Sequence, residues 1–417
     1  MKRYFYLFLP VVFILLLLGV IFLIPKINGL RTAQSPITGI SVSNSKTYSQ
    51  SQKIKAKDFV VEFIHKNGEK SAVPENAVTI SRKRPAKTGE TTKVTVTCKD
   101  GSKEYTKEVY VKNKRNPVVR FNCGSPELES VKAVLYSNGE LCFEGEGDVR
   151  QFNEFPWNDY EAEDDIVIKS ITFQDGVSPK IMDNWFSGMD TLEYVPAIPT
   201  SVESTSHTFE DCISLTKAPD LTVCNNLLNT TAMYQGCTSL QESSSLPASV
   251  RVAEAMYSEA EALKAAPDLS GATSLSQAKE MFNGCSNLVT GSLPPALVNA
   301  ESMYAGCINL KEMPQTPETV TNMANMYQGD YSLSTVTNIP ASCTDWTGCF
   351  SGCSAIQGTL TVQSNTTLWN GCLDEAAIAT NIDLAGNSSQ LNAIAVEYNS
   401  THVTVNGQAP QAQTTAN

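Results

Sequence analysis

Between Trp185 and Ile356 the chain repeats itself. Phe186, Phe209, Tyr234, Tyr257, Phe282, Tyr304, Tyr327 and Phe350 follow one another at gaps of 23, 25, 23, 25, 22, 23 and 23 residues. Three places after each aromatic stands Met189, Cys212, Cys237, Ala260, Cys285, Cys307, Asp330 or Cys353. Six places after it stands Leu192, Leu215, Leu240, Leu263, Leu288, Leu310, Leu333 or Ile356. A fixed period of this length constrains the fold more than any composition does. Each unit is too short to bury its own apolar face, so the units must stack on one another.

Apolar residues precede each aromatic at helical spacing, as in Leu227, Thr230 and Tyr234, Val250, Ala253 and Tyr257, and Leu275, Ala278 and Phe282. The spacing predicts a helix of about two turns in every unit. Gly236, Gly284, Gly306, Gly329 and Gly352, two places after the aromatic, suit a helix C-terminal cap. An extended piece is expected from the leucine at +6 to about +12, where Ile198, Leu221, Leu246, Leu269 and Ile339 stand. Pro196, Pro199, Pro219, Pro247, Pro267, Pro294, Pro314 and Pro340 close or follow it, because proline lacks the amide that a ladder needs. The expected class is an α/β solenoid with one short parallel strand and one short helix per repeat.

These residues resemble the leucine-rich repeats of BspA-like bacterial surface proteins. The motif aromatic-x-Gly-Cys-x-x-Leu stands as Tyr234-Gln235-Gly236-Cys237-Thr238-Ser239-Leu240, and again from Phe282 to Leu288 and from Tyr304 to Leu310. Ser258-Glu259-Ala260 and Gln328-Gly329-Asp330 depart from it. The departures mark the cysteine position as a buried slot for a small residue, with Asp330 expected to be locally exposed or strained. The resemblance implies a leucine-rich-repeat fold over residues 179–358, in about eight units, and adhesion to proteins or host surfaces.

Charge is distributed unevenly around a net of −12. Residues 1–31 carry four basic and no acidic side chains, and residues 32–115 carry 17 basic against 8 acidic. Residues 116–417 carry 10 basic against 35 acidic, a net of −25. A basic proximal part with an acidic distal body argues against nucleic acid as the main partner. It fits a stalk near an anionic envelope that holds a self-repelling head away from it.

The first 31 residues read as a cytoplasmic tip and a membrane signal-anchor, with a cleaved signal peptide as the alternative reading. Residues 4–25 are an uncharged run of 22, long enough to cross a bilayer. No convincing cleavage site follows it, and the first cysteine is Cys98, which excludes a lipoprotein anchor. Lys2 and Arg3 favour an inside N-terminus, so the rest of the chain is expected outside the cell. The end of the chain has no Leu-Pro-x-Thr-Gly sorting signal, so the anchor is expected at the front.

Residues 36–113 read as a small all-β module with strands Ile37–Val42, Phe59–His65, Ala77–Ser81, Lys93–Cys98 and Glu104–Val111. Lys66-Asn67-Gly68 and Lys99-Asp100-Gly101 are turn signals. Ile37-Thr38-Gly39-Ile40-Ser41-Val42 is similar to the opening strand of bacterial immunoglobulin-like modules, which implies a spacer sandwich. The cluster Arg82-Lys83-Arg84 is either a contact for anionic polymers or a solvated loop.

The repeats need an apolar cover at each end. Residues 116–178 form the expected N-terminal cap, with a hairpin of Val131–Tyr136 against Glu140–Phe143, then Phe155-Pro156-Trp157 and a strand at Ile166–Phe173. This segment resembles the opening segment of the BspA-like proteins. Residues 359–406 are the expected C-terminal cap. There Trp369-Asn370-Gly371-Cys372 echoes the motif at a broken spacing of 19, Asp374–Ala379 is expected helical and Ile394–Val405 strand-rich. Residues 407–417 read as a disordered tail.

Twelve cysteines in an extracellular chain invite a disulfide reading. Cys212, Cys237, Cys285, Cys307 and Cys353 share one repeat slot, where side chains run parallel, so a ladder of buried thiols is expected. Cys349 and Cys353 are the best candidates for a bridge. His207 beside Cys212 raises a Cys–His nucleophile, although the repeat already accounts for Cys212. Glu161, Glu163, Asp164 and Asp165 lack the spaced ligands and glycine of a calcium loop. No hydrolase, metalloprotease or phosphate-loop motif is present, so no catalytic residue, metal or cofactor is expected.

The reading is a non-enzymatic, adhesin-like binding protein, anchored as a single pass with its C-terminal region extracellular. It presents a repeat face to a protein or host-surface ligand. Exposed residues beside the repeat leucine, Glu193, Lys217, Glu242, Lys264, Lys311 and Glu312, are the candidate contacts, or else plain solubilising charges. The rivals are a self-assembling structural envelope component and a carbohydrate-active enzyme on a parallel β-helix. The enzyme would need carboxylates clustered on one face, which the strand segments lack.

Overall fold

The computed structural model describes residues 35–48, 52–83, 91–158, 166–376, 381–398 and 401–411. The apolar run 4–25, Arg84, the acidic run at 161–165 and most of the expected tail lie outside them. The chain divides between Asn116 and Pro117 into two compact units, each with its own core.

In the first unit, β1 (Ile37–Ser43) pairs antiparallel with β3 (Val60–His65), and β3 with β4 (Lys70–Ala72). A second sheet runs β2 (Thr47–Tyr48), β7 (Lys103–Asn113), β6 (Thr91–Asp100), β5 (Val78–Ile80). Strict alternation in β6 buries Thr92, Val94, Val96 and Cys98 on one face. Both sheets feed one core, in which Ile40, Val61 and Phe63 meet Val78, Val94 and Val111.

The second unit opens with β8 (Pro117–Asn122) beside the hairpin of β10 (Val131–Tyr136) and β11 (Glu140–Gly145). Strand β9 (Gly124–Ser125) pairs with β12 (Asp148–Val149). Strand β13 (Ser170–Phe173) adds parallel to β11, and it is shorter than the expected Ile166–Phe173. The bridge Ser170 to Tyr194 then passes the sheet on to the repeats.

The units are not built as expected. The residues before each aromatic form a run of turns, not a helix. Trp185, Ser187 and Met189 donate their amides to Met182, Asn184 and Phe186, three places back. The amides between them point out of the unit instead. Met182, Asn184, Phe186 and Gly188 donate to the carbonyls of Ser204, Ser206, Thr208 and Glu210 in the next unit, at 2.8–3.0 Å. The same four bonds recur at every junction as far as Phe350, whose amide donates to Cys372. A helix would keep all these amides inside one unit.

Positive φ explains the alternation. The residue two before the aromatic is left-handed throughout, as in Asn184, His207, Ala232, Ala255, Glu280, Ser302, Asn325 and Gly348. The residue two after it is left-handed as well, which is why glycine is frequent there, with Gly236 at φ 70°. Asp211 and Glu259 accept the same conformation in two units. Spacing of three to four therefore comes from consecutive i to i+3 turns, and these glycines do not cap helices.

The expected strands are also reduced. Two lines of parallel bridges join neighbouring units. One runs through Ile181, Ser204, Asn229, Val252, Gln277, Asn299, Asn322 and Asp345. The other, just past the repeat leucine, joins Lys217 to Glu242, Ala265 to Thr290, and Glu312 to Thr335. Proline in most units limits the pairing to this length.

A ninth unit follows without a break. Leu373 stands 23 residues after Phe350 in the aromatic slot, with Cys372 before it and Gly371 and Glu375 left-handed on either side. The echo at Trp369 was one turn out of register. A parallel sheet of β14 (Asn338–Ile339), β15 (Gly358–Val362), β16 (Ile382–Ala385) and β17 (Val403–Val405) closes this end. Helix α1 (Leu391–Glu397) packs on it through Leu391, Ile394 and Ala395, where strand was expected from Ile394. The expected helix Asp374–Ala379 lies partly outside the described residues.

Candidate functional site: the ladders of the repeats and their exposed face

All eight repeat aromatics, five slot cysteines and seven repeat leucines are fully buried. The rings form one stack from Phe186 to Phe350, with centroids 5.3–5.7 Å apart and planes within 18° of parallel. Beside it runs the thiol ladder. Cys212, Cys237, Cys285, Cys307 and Cys353 each donate to the carbonyl of the preceding unit's aromatic, at 2.9–3.2 Å. Burial pushes the thiols up, Cys237 and Cys285 to about 12, so they are inert rather than nucleophilic.

All twelve cysteines are free and buried, and Cys349 and Cys353 form no bridge. His207 faces Glu210 at 3.1 Å, while the Cys212 thiol faces the Phe186 carbonyl, which leaves no Cys–His pair. The Asp330 side chain is neither exposed nor hydrogen-bonded. It is fully buried in the thiol slot with both carboxylate oxygens unpartnered. Desolvation pushes its carboxyl well above the usual range, and the nearby amides of Gly306 and Cys307 are already donated to the Gln328 and Tyr304 carbonyls.

Because the outward amides all point one way, the stack ends in bare carbonyls at one end and bare amides at the other. Aromatic side chains close both. Trp157 packs against Phe143 and Trp185 with ring centroids 5.1 and 5.9 Å away, and its Nε1 donates to the Trp185 carbonyl at 2.8 Å. That carbonyl is the one a preceding unit would have met. At the far end the Leu373 amide donates to the Tyr398 hydroxyl at 3.1 Å. Neither cap is visible in the period, since both partners lie outside it.

The surface just past the repeat leucine is the open face. Glu193, Lys217, Glu242, Lys264, Lys311 and Glu312 are all exposed there. Glu193 pairs with Lys169, and Lys217 with Glu242 at 2.6 Å, while Lys264, Lys311 and Glu312 take part in no ion pair among the described residues. Such exposed pairs are worth about 0–1 kcal/mol and yield readily to a ligand. Tyr194, 52% exposed, and Val289, 40% exposed, lie on the same face and carry contact area that the charges lack.

A pairing of units was also legible but unused. The first four gaps alternate between 23 and 25, and Ala218-Pro219-Asp220-Leu221 recurs as Ala266-Pro267-Asp268-Leu269. The amides of Leu221 and Leu269 donate to Ser244 and Ser292 of the following unit.

A groove of about 550 Å³ between residues 172–178 and 196–201 has Asp175 as its one ionisable side chain. Among the described residues no three His, Cys, Asp or Glu side chains converge as a metal site. No described helix is long and apolar enough to cross a membrane; the run 4–25 lies outside the described residues.

The BspA type leucine-rich repeat region (6 copies) matches residues 162–289 and 276–402. No curated protein matches the chain. Among solved structures the chain is similar to a leucine-rich repeat protein from Bacteroides ovatus, with 16% identity and a TM-score of 0.36 over 69% of this chain and 76% of that one. It is also similar to a leucine-rich repeat protein from Eubacterium ventriosum, with 12% identity and a TM-score of 0.25 over 60% and 88%. A leucine-rich cell surface protein from Faecalibacterium prausnitzii matches with 16% identity and a TM-score of 0.20 over 56% and 93%. With more than half of its residues inside the repeat match, the chain belongs to the BspA-type leucine-rich repeat family.

Proposed function

We propose that the protein is a non-enzymatic binding protein of a bacterial surface, adhesin-like, whose repeat face recognises a protein or host-surface ligand. Residues 4–25 would anchor it in the membrane, and residues 36–113 would act as an immunoglobulin-like spacer. The observation that carries the reading is the contrast within each repeat. Every repeated residue is spent on the stack, while the positions beside the repeat leucine vary in charge and size from unit to unit and stay exposed. An extended surface that varies over an invariant scaffold is what recognition needs, and the described groove lacks the paired groups that catalysis needs.

The test is binding of the outer chain, residues 32–417, to matrix proteins, mucins and epithelial cells. A variant with Lys217→Glu, Lys264→Glu and Lys311→Glu alters the face without touching the core. Saturable binding that falls at least tenfold in this variant, with an unchanged circular dichroism spectrum, supports the reading. Binding that survives the three changes places recognition elsewhere in the chain.

A further inference from the structure

The first unit carries a cationic patch that its sequence does not display as one. In Lys53-Ile54-Lys55-Ala56-Lys57 the side chain of Ile54 is buried and Ala56 packs on the core, so Lys53, Lys55 and Lys57 face solvent together. About thirty residues later in the chain come Arg82 and Lys83, both exposed. The Ile54 amide donates to the Lys83 carbonyl at 3.0 Å, and the turn Ala56–Asp58 packs against β5, so the two segments lie side by side.

Other lysines of this unit are neutralised: Lys46 by Asp58, Lys70 by Glu62, Lys93 by Glu108 and Lys99 by Glu104. No ion pair among the described residues engages the five patch residues. Asp58, next to Lys57 in sequence, is already held by the Lys46 ammonium and the Lys55 amide. Five cations on adjoining segments, with no ion pair among the described residues, repel one another, and an external anion relieves that repulsion.

We propose that this patch rests on anionic phospholipid headgroups of the membrane that anchors the chain. The inference depends on the anchor reading of residues 4–25 given above. Eleven residues separate Pro25 from Ile37, a tether of at most about 40 Å when fully extended. Lys26 and Arg31 lie on that tether, so its own charge favours the same surface. A tether of this length lets the patch reach the surface, where each basic side chain gains from negative charge within about one Debye length, ~8–10 Å.

The experiment uses the full chain in lipid nanodiscs made with phosphatidylglycerol or with phosphatidylcholine alone. Lysine acetylation rates are read by mass spectrometry, with Lys93 and Lys99 as internal references. Slowing of Lys53, Lys55, Lys57 and Lys83 by about fivefold or more in the anionic discs, reversed by high salt, supports the proposal. In the variant Lys53→Gln, Lys55→Gln, Lys57→Gln the protection of Lys83 should vanish while the references do not change. Equal rates in the two lipids overturn it, as does protection by soluble polyphosphate without any lipid effect. Flotation with vesicles at high salt reports the anchor separately. A chain that floats but shows no protection fails the patch alone, and a chain that does not float fails the anchor.

Discussion

Asp330 is the point at which the stack is expected to be weakest, and the structure fixes how the weakness depends on pH. Its carboxyl occupies a slot that other units fill with a thiol donating to a carbonyl, and neither of its oxygens has a partner. A buried polar group without a partner costs about 1–3 kcal/mol even when uncharged. Replacement by cysteine, the residue of the motif, should therefore stabilise the protein by about that amount in mild acid. The gap must then widen as pH rises. In the folded state burial holds the carboxyl protonated well above the usual value of 3.8, whereas in the unfolded chain it ionises near that value. Between the two the folded state binds one proton more, so wild-type stability falls by about 1.4 kcal/mol per pH unit. The fall begins above the ordinary carboxylate value and stops where the folded carboxyl ionises. In Asp330→Cys this slope is absent. Urea unfolding of both chains across a pH series, followed by the fluorescence of buried Trp346 in the next unit, reads the difference directly. Other ionisable groups contribute equally to the two chains and cancel. Parallel pH profiles, or a gap that narrows with rising pH, would show that Asp330 is partnered or hydrated and refute the reasoning.

Five further outcomes are expected. Trp157→Phe keeps an aromatic ring at the N-terminal cap but strands the Trp185 carbonyl, costing about 1–3 kcal/mol, with faster hydrogen exchange in residues 182–189. Tyr398→Phe should act likewise on the ninth unit, whose Leu373 amide loses its acceptor, and exchange there should rise before that of the central units. Tyr304→Phe removes a hydroxyl bonded to both the amide and the carbonyl of Ser292 and should destabilise by about 1 kcal/mol. Tyr234→Phe removes a buried hydroxyl that has no partner and should be neutral or stabilising; equal losses in these two variants would contradict the bonding seen here. Native protein at mildly alkaline pH should resist thiol alkylation, because burial pushes Cys123 and Cys224 up to about 11, whereas the urea-unfolded chain should label at all twelve positions.

The sequence by itself determined which residues are equivalent. A gap of 22 to 25 between aromatics, repeated with the cysteine and leucine offsets, is enough to place Tyr234, Cys237 and Leu240 in a common core, because the burial of a repeat is a property of its period. Five of the seven described strands in the first unit were legible, though not the short β2 and β4, since alternation such as Val94, Val96 and Cys98 has one structural meaning. Spacing of three to four did not have one meaning. A helix and a chain of i to i+3 turns place side chains on the same face, and they differ only in where every second amide goes. That choice is made between units, by left-handed residues such as Ala232 and Gly236 and by carbonyls more than 20 residues away. The capping segments, Trp157 included, were expected from the sequence, but the atoms that close the stack were decided there too. Trp157 and Tyr398 lie outside the period, and each supplies one polar atom to a row whose direction exists only once the units are stacked. Tertiary structure likewise placed Lys53 beside Lys83 and buried Asp330 among thiols, because proximity across the chain and the cost of desolvation are set by packing, not by local sequence.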